Sequence, residues 1–205
     1  MLVRRNDACP VVAASASVAP TAHVVGNVII GEECVVDHGA VIVSSGPPVR
    51  LDAGAVVMPG AVIRSVGGTH RPAFPVTIGA ESLIGPMAVL AGCSIGAACY
   101  VATAVMVFQG AVVGDGSRLG AGSIVHVSAV LPPHSRVGMR HYAVPDGDAG
   151  ALITADLEAV GPLLGRADFF GRVFGDVDQS DLTELHRQTT AALRAEAADW
   201  TDEIV

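Results

Sequence analysis

A branched aliphatic residue returns at every sixth position through most of this chain. Nineteen such positions are in phase, interrupted by two breaks and one five-residue step. They are Val18, Val24, Ile30, Val36, Ile42, Leu51, Val57, Ile63, Ile78, Ile84, Leu90, Ile95, Val101, Val107, Val113, Leu119, Val125, Leu131 and Val137. A small residue (Ala, Cys or Ser) follows most of them four positions later, and Gly often follows directly.

This period predicts an all-β triangular coil with one short strand and one tight turn per hexad. Three hexads close one turn of the coil, and each turn buries its inward face only against its neighbours. The composition fits, because 51% of the residues are hydrophobic but only 4% are aromatic, and small β-branched residues suit closely stacked strands. The alternative is an ordinary all-β domain of alternating strands, but nineteen in-phase positions favour the coil.

Two breaks in the period, at residues 44–50 and 66–76, are predicted to be loops. Their sequences, SSGPPVR and VGGTHRPAFPV, contain proline and glycine that cannot continue a buried ladder. Loops on a rigid scaffold often carry function.

The pattern divides the chain into a lead-in at 1–17, the coil at 18–145 and a helical segment at 146–205. The first expected helix is short and broken at Gly161-Pro162, and the second is capped by Asp178 or Ser180. Their apolar positions are Leu152, Ile153, Leu157, Val160 and Leu164, then Leu182, Leu185, Ala192, Leu193 and Trp200. We expect this segment to pack along its own coil; contact with a neighbouring subunit or another partner is the alternative.

The charge distribution argues against nucleic acid and anionic membranes as partners. The net charge is −8, with nine acidic residues against eight arginines in residues 1–150 and eleven against four in residues 151–205. No stretch resembles a signal peptide or a membrane span, so a cytoplasmic location is expected. Cys9, Cys34, Cys93 and Cys99 show no CxxC spacing and are expected to be small buried hydrophobes.

Three segments resemble the γ-carbonic anhydrases, a branch of the hexapeptide-repeat acyltransferase superfamily. They are VAPTAHVVGNVIIGEECVVDHGAVI (18–42), PVRLDAGAVVMPGAVIR (48–64) and TIGAESLIGPMAVLAGCSIG (77–96). The resemblance implies a left-handed parallel β-helix and a homotrimer whose site lies between adjacent subunits. It also implies a zinc ion held by three histidines.

The histidine positions of that family are occupied here by Arg64, Pro86 and Ala91. None of these side chains can bind zinc, and the arginine would repel it. Supporting polar positions are lost as well, because Val43-Ser44-Ser45 replaces an Arg-Gly-Asp motif, and Val56, Met58 and Pro59 replace Asn, Gln and Asp. No other histidines combine metal-ligand spacing with a third partner. We therefore expect no metal, no cofactor and no carbonic anhydrase activity.

If the inter-subunit geometry is kept, an apolar cleft holding one cation replaces the zinc site. Its expected lining is Val43, Met58, Arg64, Pro86, Ala91, Met106 and Phe108. Arg64 could pair with a carboxylate or phosphate of a ligand. His70, in the loop expected to overhang the cleft at residues 69–74, is the candidate general acid or base, with Arg71 beside it. The alternative is a collapsed, dry interface in which Arg64 pairs with an acidic residue of a neighbour.

Three functions remain open at this point. The first is a metal-independent enzyme that acts on a small organic, possibly anionic, molecule by proton transfer, isomerisation or cyclisation. The second is a non-catalytic trimer for assembly or ligand binding. The third is a coenzyme A-dependent acyltransferase, for which Arg118, Arg136 and Arg140 could bind phosphates, although Gly138-Met139-Arg140-His141-Tyr142 differs from the Gly-x-Pro-Ala-Lys common in transferases.

Overall fold

Short strands that follow the six-residue period stack into three parallel sheets around one apolar core. The computed structural model describes residues 1–68, 71–147, 150–166, 168–177 and 179–205. Because each strand pairs with strands of the preceding and following turns, the chain forms a parallel β-solenoid of about eight turns.

The strands of the coil are distributed over three sheets that we name A, B and C. The parallel strands of sheet A are β1 (Leu2–Arg5), β4 (His23–Val25), β7 (Val41–Val43), β10 (Val62–Arg64), β15 (Val89–Ala91), β18 (Met106–Val107), β21 (Ile124–Val125) and β24 (Tyr142–Pro145). Sheet B contains β2 (Val11–Val12), β5 (Val28–Ile30), β8 (Val49–Leu51), β13 (Val76–Ile78), β16 (Ser94–Ile95), β19 (Val112–Val113) and β22 (Val130–Leu131). Sheet C contains β3 (Ser17–Val18), β6 (Val35–Val36), β9 (Val56–Val57), β14 (Leu83–Ile84), β17 (Tyr100–Val101), β20 (Arg118–Leu119) and β23 (Arg136–Val137).

The core confirms the predicted period. Eighteen of the nineteen in-phase aliphatic residues are buried, and Val18, in the first turn of the coil, is partly buried against the core. Each buried aliphatic side chain of this size contributes about 1.5–3 kcal/mol of hydrophobic free energy. Cys34, Cys93 and Cys99 are buried as predicted, and burial raises the pKa of Cys93 to about 12. The prediction for Cys9 was wrong, because this residue is exposed.

The coil begins earlier than the sequence pattern predicts. Residues 1–17 are not a lead-in, because β1, β2 and β3 pair in parallel with β4, β5 and β6. The in-phase residue of β1 is Leu2, the ladder partner of Val24, and it lies ten positions before Val12, instead of six, because the turn after β1 contains extra residues. The first turn of the coil therefore falls outside the hexad count.

The C-terminal segment differs from its prediction at its start. Leu152 and Ile153 lie in strand β25 (Ala151–Thr154), which pairs antiparallel with β24. Helix α1 (Leu157–Arg166) continues through Gly161-Pro162 and is not broken there. At the other end of sheet A, β26 (Asp202–Ile204) pairs antiparallel with β1, so the first and last coil strands of this sheet are both paired on their outer sides.

Helices α2 (Phe169–Phe174) and α3 (Leu182–Ala198) complete the segment. Asp181 caps α3 by accepting hydrogen bonds from the backbone N–H groups of Thr183 and Glu184, whereas the predicted cap was Ser180 or Asp178, and Asp178 lies outside the described residues. The buried residues of α3 are Leu185, Thr189 and Glu196, while the predicted Leu182 and Leu193 are exposed.

The second break in the period is a hairpin and not an irregular loop. Strands β11 (Val66–Gly68) and β12 (Arg71–Phe74) pair antiparallel before the chain enters sheet B. Strand β12 lies against α2. Residues 69 and 70 between the strands lie outside the described residues.

Candidate functional site

Four of the predicted cleft residues share one column on the outer face of sheet A. Arg64 is the direct ladder partner of Val43 on one side and of Ala91 on the other. Phe108 follows Ala91 in the same column, one residue beyond the paired end of β18. Met106 lies on the same strand, as the ladder partner of Val89. The structure therefore brings Arg64 and Ala91, two of the three positions that correspond to zinc ligands, side by side.

The third such position, Pro86, lies apart from them within the chain. It precedes β15 by three residues, at the corner between sheets C and A, whereas Ala91 is the last residue of that strand. Met58 lies at the same corner, where its N–H donates to the carbonyl of Ile84. Within one chain, the predicted lining residues therefore lie in two places. The column lies at the C-terminal ends of the sheet A strands, whereas Met58 and Pro86 precede the N-terminal ends of these strands.

Arg71 is placed where it cannot serve as a free catalytic cation. Its Nε atom is 2.7 Å from Oε2 of Glu196 on α3, and the two side chains are 2% and 8% exposed. Its guanidinium also lies 5.4 Å from the ring centre of Phe174 on α2. This pairing does not fit the predicted catalytic role of Arg71, and it holds the hairpin to the C-terminal helices. His70 lies outside the described residues, so its role stays a prediction.

Arg64 lies beside this buried ion pair. Partial burial and the positive charge of Arg71 lower the pKa of Arg64, and the carboxylate of Glu196 partly offsets this effect. Within the described ranges, no carboxylate lies within 4.0 Å of its guanidinium. This cluster of two guanidinium groups and one carboxylate has a net positive charge.

A second candidate site lies on the outer face of sheet C, near the C-terminal turns. A groove of about 400 Å³ runs along β17, β20 and β23, and we call it the arginine groove. It is lined by Tyr100, Arg118, Leu119, Gly120, Arg136, Val137, Gly138 and Met139. Tyr100 and Arg118 are ladder partners, and Arg118 and Arg136 are ladder partners in turn.

The two arginines of this groove are exposed and stand in register. Neighbouring strands lie about 4.8 Å apart, so the two positive charges repel one another. No ion pair involves either residue in the part of the chain that the structure describes. An arrangement of this kind is suited to an anion that both guanidinium groups can contact.

His141 is not part of the groove lining, but its ring lies next to the groove residues Gly138 and Met139 in a defined orientation. Its Nδ1 is 2.9 Å from the carbonyl oxygen of Met139. Because a carbonyl can only accept, Nδ1 carries the hydrogen, and Nε2 of the neutral ring keeps its lone pair. A Cβ atom at Gly138 would lie 2.8 Å from the His141 ring, so a side chain at position 138 would displace the ring from this position.

The sequence indicated Arg118 and Arg136 as possible phosphate contacts but did not single out His141 as a candidate base. The only signal was its position within Gly138-Met139-Arg140-His141-Tyr142, directly after the last in-phase aliphatic residue. The hydrogen bond that orients the ring is made to the backbone carbonyl of Met139, so it cannot be recognised from the sequence.

The described residues contain no group of three or more His, Cys, Asp or Glu side chains placed to hold a metal ion. Within the same ranges, the helices fall short of the length and apolar character that crossing a membrane requires.

The comparisons with known proteins identify the fold. No protein-family model and no curated protein matches the sequence. Among solved structures, a presumptive acetyltransferase of Bacillus cereus superimposes with a TM-score of 0.53 at 17% identity, covering 94% of this chain and 93% of that one. The UDP-N-acetylglucosamine O-acyltransferase of Moraxella catarrhalis gives a TM-score of 0.49 at 17% identity, covering 92% and 91%. The chain thus has the left-handed β-helix fold of hexapeptide-repeat proteins.

Proposed function

We propose that this protein transfers an acyl group from a coenzyme A thioester to a small acceptor, and that the arginine groove binds the donor. The observation that carries the proposal is the in-register pair Arg118 and Arg136, two exposed cations on adjacent turns. The Bacillus cereus protein with a similar fold is described as a presumptive acetyltransferase, which agrees with this function.

The groove matches the chemistry of a coenzyme A donor. The pyrophosphate and ribose phosphate of this molecule carry several negative charges, and guanidinium groups bind phosphate oxygens through paired hydrogen bonds. Tyr100 is 50% exposed and Met139 is 73% exposed, so both offer apolar surface beside the arginines. An aromatic ring and a thioether are suitable contacts for an adenine ring.

His141 supplies the base that acyl transfer requires. Its Nε2 takes the proton from the hydroxyl or amine of the acceptor while the acceptor oxygen or nitrogen attacks the thioester carbonyl. The new carbon–oxygen or carbon–nitrogen bond forms, the carbon–sulfur bond breaks, and the leaving thiolate receives the proton from the imidazolium. The hydrogen bond from Nδ1 to the Met139 carbonyl keeps the ring oriented through both steps.

Titration calorimetry with three related ligands tests the donor site. Coenzyme A, dephospho-coenzyme A and pantetheine share the thiol arm but carry three, two and no phosphate groups, respectively. We expect affinity to fall in this order and to weaken as salt is added, because the contacts are ionic. Equal binding of all three, or no binding of coenzyme A, would rule the proposal out.

A second candidate follows from the column that contains Arg64. In this alternative the protein is a γ-carbonic anhydrase-like homotrimer without zinc, and a small organic anion binds between subunits. The ladder contact between Arg64 and Ala91 and the lack of an ion-pair partner for Arg64 within the described ranges favour this arrangement. Pro86 at the other end of the strands could then approach the column from a neighbouring subunit.

Solution measurements distinguish the two candidates. Light scattering after size-exclusion chromatography gives the oligomeric state, and a mass three times that of the chain is expected for both. Metal analysis of the purified protein should find no stoichiometric zinc, and carbon dioxide hydration should be at background. If coenzyme A fails to bind while small carboxylates stabilise the protein in an Arg64-dependent way, the second candidate replaces the first.

A further inference from the structure

A second and larger cleft lies at the N-terminal end of the coil, away from the arginine groove. We call it the terminal cleft. It has a volume of about 580 Å³ and is formed by the turn after β1 (residues 5–8), the loop at residues 44–46, Gly68 and the end of α3 with Trp200. Clefts of roughly 300–1,000 Å³ are the usual size of small-molecule sites.

The walls of the terminal cleft are held by contacts between the two ends of the chain. Arg5 forms a two-point ion pair with Asp202, with distances of 2.7 and 2.8 Å. The Arg5 guanidinium also lies 4.1 Å from the ring centre of Trp200. The side-chain oxygen of Asn6 accepts hydrogen bonds from the N–H and the hydroxyl of Thr201, at 2.9 and 3.1 Å. These contacts fix the positions of the walls relative to one another.

The loop side of the cleft is polar and open. Gly46 and Gly68 have φ angles of +135° and +133°, which other residues could adopt only with strain. These two glycines leave their part of the cleft wall without side chains. The hydroxyl of Ser44 is used within the loop, since it donates to the carbonyl of Pro47 at 2.9 Å. Ser45 is only 7% exposed, and its N–H donates to Ser65. Its hydroxyl has no hydrogen-bond partner among the described residues, and the residue borders the cleft.

Two ion pairs neutralise part of the charge around the cleft, and the other charged residues of its lining are acidic. Asp202 neutralises Arg5, and Arg71 neutralises Glu196, another residue of the lining. Exposed Asp7 and Asp199 add two carboxylates and exposed Asn27 adds an amide. The walls therefore offer hydrogen-bond donors and acceptors, and the one cation of the described lining, Arg5, is paired with Asp202. Such walls disfavour polyanions and suit a ligand that both donates and accepts hydrogen bonds.

We propose that the terminal cleft binds a neutral, hydroxyl-rich small molecule of the sugar or polyol class. The Ser45 hydroxyl, the Asn27 amide and the Asp7 carboxylate would exchange hydrogen bonds with the ligand hydroxyls, and the edge of Trp200 would contact its apolar carbon atoms. This proposal does not depend on the acyltransferase function, because the two sites lie at opposite ends of the coil.

The single tryptophan of the chain makes the test site-specific. Trp200 is the one Trp in the sequence and lines the cleft, so intrinsic fluorescence reports on the cleft directly. The probes are glucose, N-acetylglucosamine and inositol, compared with spermidine as a cation and citrate as an anion. A saturable change in Trp200 emission is expected with at least one of the three hydroxyl-rich probes and with neither ion.

Two variants separate binding from structure. Ser45→Ala removes the free hydroxyl and should weaken binding about five-fold, the usual effect of one hydrogen bond, and Asn27→Ala should act similarly. The matched control is Thr77→Ala on the exposed outer face of sheet B, which should bind as the unaltered protein does. The thermal unfolding midpoint of all three unliganded variants should stay unchanged. The proposal is wrong if no hydroxyl-rich probe gives a saturable change, if only spermidine or citrate does, or if Ser45→Ala and Asn27→Ala bind as the control does.

Discussion

Arg118 and Arg136 are direct partners in the ladder between β20 and β23, one turn of the coil apart. Tyr100 precedes them in the same column. A parallel solenoid converts a spacing of one coil turn along the sequence into side-by-side placement, so two exposed arginines become one site of double positive charge. The two arginines line a groove, and the ring of His141, oriented by its hydrogen bond to the Met139 carbonyl, lies next to the groove residues.

The first prediction concerns His141. His141→Gln should lower the rate of acyl transfer about 100-fold or more, because a positioned general base contributes about this factor. The affinity for coenzyme A should stay the same, since the imidazole acts on the acceptor. Steady-state kinetics together with calorimetry measures both quantities, and His134→Gln, at an exposed corner of the coil, is the control. A loss of donor affinity with unchanged turnover would show that His141 binds the donor instead.

The second prediction concerns the buried ion pair between Arg71 and Glu196. Replacing either residue alone, by Arg71→Met or Glu196→Met, leaves an uncompensated buried charge and should lower the free energy of unfolding by about 3–5 kcal/mol. The double variant should be more stable than either single variant, because no charge is then left unpaired. Urea denaturation of the four proteins measures the coupling, and additive effects would mean that the two side chains do not interact.

The third prediction concerns stability in mild acid. Burial lowers the pKa of His126 below its ordinary value of 6.5. The unfolded chain therefore binds a proton at higher pH than the folded chain, and stability should fall as the pH decreases below about 6.5. Thermal unfolding between pH 7 and pH 4.5 measures this effect.

His126→Gln serves as the comparison in that experiment and should show a flatter profile over the same range. The pKa of Asp202 is lowered by its hydrogen bonds to Arg5, so its own contribution is lost only at more acidic pH. Identical profiles for the unaltered protein and His126→Gln would contradict the prediction.

The coil could be predicted from the sequence because its core repeats locally. Each in-phase aliphatic residue, such as Ile63 or Leu90, occupies the same environment as its neighbours one turn away, so a single rule covers most of the core. The first turn escaped this rule because extra residues between Leu2 and Val12 break the phase.

The rest of the architecture depends on contacts between distant segments. Arg71 and Glu196 are 125 residues apart, and nothing in the sequence around either residue indicates its partner. The same holds for Leu152 and Ile153, whose apolar character fits a helix or a strand until the exposed edge of β24 is known. For the candidate site, the spacing of Arg118 and Arg136 was visible, but the orientation of His141 required the backbone of the corner.

The most direct test of the account is the affinity of coenzyme A for the double variant Arg118→Ala/Arg136→Ala. Both residues are exposed on the outer face of sheet C, so the variant should keep the thermal stability of the unaltered protein. Loss of two charge-assisted contacts should weaken binding about 100-fold or more by calorimetry. The control Arg166→Ala removes an exposed arginine at the end of α1 and should bind normally. Equal affinity in the double variant and the control would contradict the assignment of the arginine groove as the donor site.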